Sequence, residues 1–90
     1  MPAPIPAQML SAAIQHHRAG RLGEAERLYR EVLEAQPEHA DALHLLGVLA
    51  HQTGRQGLAV EMIERAIARN GSMPAFHNNL GNALAAAGRW

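Results

Sequence analysis

The sequence predicts an all-α protein, a solenoid of about five helices that form stacked, antiparallel helix-turn-helix units. A Gly-Arg pair occurs three times at equal spacing, as Gly20-Arg21, Gly54-Arg55 and Gly88-Arg89. Small residues keep the same register, as Ala13, Gly47 and Gly81 do. The composition is 48% hydrophobic with a single Trp, Tyr and Phe, which is typical of helices that pack through Ala and Leu. A hairpin of this length cannot bury its apolar face alone and must stack on its neighbours.

The first helix is predicted over residues 7–19. Prolines at positions 2, 4 and 6 disfavour an earlier start, so residues 1–6 are expected to form a flexible Pro-rich tail. Apolar residues follow at three- and four-residue spacing, as Met9, Leu10, Ala13 and Ile14. Gly20 then ends the helix as a left-handed cap.

The second helix is predicted over residues 22–35 and completes a first unit of residues 7–39. Its acidic and basic residues are expected to stay solvated, while Pro37 closes the unit. The residues expected to face the core are Ala25, Leu28, Tyr29, Val32 and Leu33.

A second unit over residues 40–73 repeats this plan. Its helices are predicted over residues 40–53 and 56–69, with Gly54 as the cap between them. The second of these helices is expected to direct Ala59, Met62, Ile63, Ala66 and Ile67 towards the core.

Residues 74–90 are predicted to hold the first helix, 74–87, of an incomplete third unit. Pro74 fits its first turn. The sequence stops after the third Gly-Arg pair, so the face that carries Phe76, Leu80 and Leu84 is expected to lack its covering helix. Either more chain follows, or the exposed face associates with another molecule.

These units resemble the tetratricopeptide repeat (TPR), whose pattern is W-x2-L-G-x2-Y, then A-x3-F, then P. The second unit matches it with Leu43, Leu46, Gly47, Ala50, Ala59 and Ile63. The third matches it with His77, Leu80, Gly81 and Leu84, and the first, more degenerate, with Met9, Ala12, Ala13, His16, Ala25, Tyr29 and Pro37. Gly71 departs from the pattern where proline is expected, and Val32 where a small residue is expected.

Residues 43–51 and 77–84 are also similar to repeats at the amino end of bacterial proteins that resemble SPINDLY-type O-linked N-acetylglucosamine transferases. In that family the catalytic domain follows the repeats, so no catalytic residue carries over. An asparagine before the Leu-Gly of each opening helix grips the backbone of a bound polypeptide in that family. Asn79 matches it, whereas Leu45 and Ser11 occupy the equivalent positions in the earlier units.

The charge and composition argue against several classes of partner. Eight arginines balance eight acidic residues, so no net field attracts nucleic acid or an acidic membrane surface. The start of the chain lacks the features of a signal peptide, and no stretch reaches the ~20 apolar residues of a membrane span. With no cysteine, a reducing compartment is compatible, and the predicted location is cytoplasmic.

Neither a metal site nor a catalytic site is predicted, and no cofactor is expected. His44 and His51 share a helical face, but structural zinc needs three or four ligands and the other histidines lie on other elements. Ser11, Thr53 and Ser72 lack the setting of a nucleophile. The segment is therefore predicted not to be an enzyme.

The predicted binding surface is the concave groove that the opening helices line. It mixes apolar and hydrogen-bonding groups, which suits an extended peptide better than a charged tail. The candidate residues are His17, Asp41, His44, Val48, His51, Gln52, Asn78, Asn79 and Asn82.

The sequence thus predicts a protein-protein interaction module that binds a protein or peptide and forms the amino-terminal part of a larger protein. One alternative is the substrate-presenting region of a glycosyltransferase that resembles O-GlcNAc transferase. The other is a self-assembling structural adaptor that forms a homo-oligomer through Phe76, Leu80 and Leu84. The sequence does not choose among the possible partners.

Overall fold

The computed structural model describes residues 5–88 and consists there of five helices. They are α1 (Pro6–Arg18), α2 (Leu22–Ala35), α3 (Ala40–Gln52), α4 (Gln56–Arg69) and α5 (Pro74–Ala86). This confirms the predicted all-α fold, with helix ends within one residue of those expected. Most of the predicted tail, together with Arg89 and Trp90, lies outside the described residues.

The turns inside the hairpins are built alike because a left-handed glycine follows each opening helix. Gly20 and Gly54 both have φ of 81°, and Gly88 has φ of 76°. This conformation lets the next amide return to the helix end: Arg21 N donates to His16 O at 2.9 Å, and Arg55 N donates to Ala50 O at 2.8 Å. The predicted glycine caps are therefore confirmed.

Helix α3 lies at the centre of the solenoid, where it packs against α2, α4 and α5. Its buried residues are Ala42, Leu43, His44, Leu46, Gly47, Leu49 and Ala50. By contrast, α1 has Ala13 as its buried residue, and α5 has Phe76 and Ala83. The end helices therefore depend on the centre for most of their apolar contact.

Helices α3 and α4 approach most closely at Gly47. A Cβ built there would lie 2.6 Å from Ile63 Cγ1 and 3.2 Å from the carbonyl oxygen of Ala59. Gly81 holds the same repeat position on α5, but no atom of residues 5–88 that could obstruct a Cβ built there lies within 4 Å of it. The same residue type therefore allows close packing in the second unit and faces open space in the third.

An ion pair joins the first two units on the outer side. Arg55, in the turn before α4, donates two hydrogen bonds to the Glu26 carboxylate on α2, at 3.0 and 2.7 Å. Arg30 donates to the same carboxylate at 3.0 Å. The hydrogen bonds from Arg55 outweigh desolvation and, with Arg30, lower the pKa of Glu26 to about 2.

The last helix is covered differently from the sequence expectation. Phe76 is 2% exposed, with its ring centroid 4.4 Å from that of His44 on α3, so it does not belong to the uncovered face. The reason is that Phe76 repeats the position of Ala42, which is fully buried in the preceding opening helix. Leu80 and Leu84 are only partly buried, and Gly81 is exposed, so these three define the open face of α5.

Replacing the two equivalent glycines with alanine should have opposite effects. Gly47→Ala should lower the free energy of unfolding by about 1–3 kcal/mol, since its Cβ meets Ile63 and the Ala59 carbonyl. Gly81→Ala should raise it by about 0.5–1 kcal/mol, because alanine restricts the unfolded chain and nothing obstructs it here. Urea denaturation followed by circular dichroism measures both. Equal effects of the two substitutions would contradict the close approach at Gly47.

Candidate functional site

The opening helices of the three units, α1, α3 and α5, form what we call the inner surface. These helices carry all nine residues of the predicted groove, of which His44 is buried. Between α1 and α3 the inner surface contains a pocket of about 450 Å³. Its lining residues are Ile14, His17, Arg18, Tyr29, Leu45 and Gln52.

A chain of hydrogen bonds forms one wall of this pocket and joins three helices. His17 Nε2 on α1 lies 2.5 Å from Gln52 Oε1 on α3, and His17 Nδ1 lies 2.8 Å from the Tyr29 hydroxyl on α2. An amide oxygen can only accept, so Nε2 carries the proton and donates it. In the neutral ring Nδ1 then accepts from the hydroxyl of Tyr29. Burial raises the pKa of Tyr29 to about 12, which keeps this donor protonated.

A second polar contact lies between α3 and α5. His44 is 8% exposed, and Asn79 Nδ2 donates a hydrogen bond to its Nε2 at 2.7 Å. Because Nε2 accepts, the ring proton lies on Nδ1 in this arrangement. Burial lowers the pKa of His44, and the charge of Asp41 opposes that shift. His44 thus supports Asn79 from beneath the inner surface.

The other five predicted groove residues are either partly buried or exposed. His51 Nδ1 donates to Gln56 Oε1 at 2.8 Å, and Gln56 Nε2 donates back to the carbonyl oxygen of His51 at 3.2 Å, so this histidine is oriented by the first residue of α4. Val48 is partly buried. The remaining candidates, Asp41, Asn78 and Asn82, are exposed and form no side-chain hydrogen bond with another of the described residues.

Four residues of the pocket are absent from the list of candidate groove residues: Ile14, Arg18, Tyr29 and Leu45. Tyr29 was predicted to face the core, and Leu45 was noted because it stands where the family pattern has asparagine. Ile14 was noted as an apolar residue of the first helix, and Arg18 was not considered. One sequence signal was available for Arg18, because it lies one full repeat before Gln52 and so holds the same repeat position. Tyr29 is buried as predicted, but its hydroxyl also orients His17.

Among residues 5–88, no group of three or more His, Cys, Asp or Glu side chains could hold a metal ion. None of the helices in this range is long and apolar enough to cross a membrane.

The stacked hairpins, each closed by a left-handed glycine and lined by polar groups on one surface, define a helical-repeat protein of the solenoid class. The tetratricopeptide-repeat family matches residues 6–70, and a second match to a tetratricopeptide repeat covers residues 57–90. The chain therefore belongs to the tetratricopeptide-repeat family. Such repeats generally mediate protein-protein interactions and are not catalytic units, so this segment is a non-catalytic interaction module.

Known proteins with similar repeats are much longer than this chain. Human tetratricopeptide repeat protein 7B is 35% identical over 69 residues, which cover 77% of this chain and 8% of that protein. Human tetratricopeptide repeat protein 7A is 31% identical over 70 residues, which cover 78% of this chain and 8% of that protein.

A solved structure shares both the fold and the sequence pattern. A mutant of the O-GlcNAc transferase of Thermobaculum terrenum superposes with a TM-score of 0.92 at 36% identity, over 99% of this chain and 18% of that one. The resemblance to the repeats of such transferases, expected from the sequence, is thereby confirmed.

The buried His44 should make stability depend on pH. Because its pKa is lowered from 6.5 in the folded state, the unfolded chain binds more protons as the pH falls through 6.5. This contribution to stability is complete above that pH and is lost as the pH falls towards the lowered, folded-state pKa of His44. We expect the free energy of unfolding of wild type to fall more between pH 7 and 5 than that of His44→Gln.

Urea denaturation across this pH range measures the difference. His77→Gln is the matched control, because His77 is exposed and donates only to the Gly71 carbonyl. A His44→Gln profile parallel to that of wild type would show that His44 titrates normally.

Proposed function

We propose that the inner surface of this segment binds an extended peptide segment of a partner protein. The observation that carries the proposal is the chain from Tyr29 through His17 to Gln52. It fixes polar groups of three helices beside an open pocket, and preorganised groups lower the entropic cost of binding.

The chemistry of the inner surface supports a peptide over other ligands. A peptide backbone offers alternating donors and acceptors, and the side-chain amides of Asn78 and Asn82 provide both. These two exposed residues are four positions apart on α5, and therefore on one face of the helix. Val48, partly buried on α3, adds apolar contact. Asn79 contributes the carbonyl of its amide, since its nitrogen already donates to His44.

Peptides selected from a phage-displayed library on the immobilised protein should bind through this surface. We expect Asn82→Ala and Gln52→Leu each to weaken a selected peptide about five- to tenfold, since each removes hydrogen bonds of ~1 kcal/mol or more. Fluorescence anisotropy of the labelled peptide measures the affinity.

Glu61→Gln is the matched control for these variants, because Glu61 is an exposed residue of α4, outside the inner surface. It should leave the affinity unchanged. If Glu61→Gln or Arg65→Gln weakens the affinity for a peptide and the inner-surface variants do not, that peptide binds to α4 outside the inner surface, and the proposal is refuted.

A more specific alternative is that the segment presents protein substrates to a glycosyltransferase domain in the same polypeptide. Its support is the similarity to the Thermobaculum terrenum O-GlcNAc transferase over 99% of this chain. Immunoprecipitation of the native gene product followed by intact mass spectrometry tests it. We expect a mass far above that of the present sequence and a downstream domain that binds a nucleotide sugar. A native mass equal to that of the present sequence would refute this alternative.

Self-assembly is a second alternative, favoured by the open face of α5. Leu80 and Leu84 are only partly buried, and none of the described residues packs over Gly81. A face-to-face contact between two copies would cover these leucines, as apolar patches tend to be covered.

Sedimentation velocity at increasing concentration should show a dimer if this alternative holds. The double substitution Leu80→Glu and Leu84→Glu should then abolish the dimer, whereas Ala75→Glu, at an exposed position on the side of α5 opposite Leu84, should not. A wild-type protein that stays monomeric at high concentration would exclude self-assembly.

We also propose that the repeat units span residues 7–39, 40–73 and 74–90, and that each complete unit contributes one hairpin to binding. The cytoplasmic location stays a prediction from the sequence, and a bacterial origin is what the resemblance to the repeats of bacterial proteins implies.

A further inference from the structure

We propose that the pocket between α1 and α3 is a subsite for the side-chain carboxylate of a glutamate in the bound peptide. The inference rests on the peptide-binding function proposed above and specifies its chemistry. The proposed ligand is the side-chain carboxylate of a residue within an extended peptide, and not the carboxylate at the end of a peptide.

The hydrogen bonds among Tyr29, His17 and Gln52 leave hydrogen-bond donors free for a ligand in the pocket. The oxygen of the Gln52 amide is occupied by His17 Nε2, so the two hydrogens of Gln52 Nε2 remain for a ligand. The hydroxyl proton of Tyr29 is occupied by His17 Nδ1. Arg18 adds a guanidinium group, which offers donors and no acceptor. A ligand group that accepts several hydrogen bonds therefore complements this pocket.

The charge balance favours an anion. Within residues 5–88, Arg18 forms no ion pair and no side-chain hydrogen bond, and no carboxylate lines the pocket. Two acidic residues of the first unit form ion pairs away from the pocket: Glu26 with Arg55 and Arg30, and Glu24 with Arg27. Among the described residues, Arg18 is thus a cation without an internal partner, located beside two amide donors.

The walls of the pocket favour a side chain that carries methylene groups. Ile14 and Leu45 are both partly buried and lie on opposite sides, on α1 and α3. The two methylenes of glutamate can lie between them while the carboxylate reaches Arg18 and Gln52. Arg18 is exposed, so the gain in affinity should be modest and should fall with salt.

Four sub-libraries of labelled nonapeptides test the proposal. Each is N-acetylated and C-amidated, with Glu, Asp, Gln or Lys fixed at the centre and the other positions randomised. By fluorescence anisotropy at low salt we expect the Glu sub-library to bind about threefold more tightly than the Gln sub-library. Arg18→Gln should abolish that preference while the Gln sub-library binds as before.

Arg27→Gln is the matched control, since it removes one positive charge from an exposed residue of α2 outside the pocket. It should keep the Glu preference. Circular dichroism should show that both variants remain folded. A Glu sub-library with a free carboxyl terminus provides a further arm, and a preference that requires that terminus would overturn the side-chain assignment.

The outcomes distinguish the carboxylate subsite from peptide binding by the inner surface. Binding of the sub-libraries without a preference for Glu, or with one that survives in Arg18→Gln, would overturn the carboxylate subsite and leave peptide binding intact. Binding of none of the four sub-libraries would overturn both proposals.

Discussion

Burial of α3 between its neighbours is the constraint on which the rest of this structure depends. Each hairpin has an apolar face that it cannot cover by itself, and within the described chain the central helix is the one enclosed by other helices on several sides. The close approach at Gly47 lets Ile63 pack directly against the α3 backbone. The positions of α1 and α5 follow from it, since both carry few buried residues of their own.

The chemistry of the inner surface is a consequence of that stacking. His17 contacts Gln52, and His44 contacts Asn79; both pairs are separated by 35 residues, which joins each unit to the next. A change in the angle between two units would break the contact that joins them. Rigid stacking therefore fixes the tautomer of each histidine, and with it the donors and acceptors that remain for a ligand.

Equivalent repeat positions acquire different roles because their surroundings differ. Arg21 and Arg55 each follow a left-handed glycine, yet Arg21 donates to His16 in its own unit, whereas Arg55 reaches Glu26 in the preceding unit. The first unit has no predecessor among the described residues to provide such a carboxylate. Gly47 and Gly81 differ because the helix that follows Gly47, α4, packs against it, whereas none of the described residues packs against Gly81.

The sequence by itself determined the local structure: the helices, their glycine caps and the repeat register follow from residues that are a few positions or one full repeat apart. It also placed His17, Gln52 and Asn79 on the inner helices. Only the tertiary structure decided that Phe76 is covered by α3, that His44 lies beneath Asn79, and that Arg18 borders a pocket with the buried hydroxyl of Tyr29. These contacts join residues of different helices, and their geometry depends on how the hairpins stack, which no local pattern specifies.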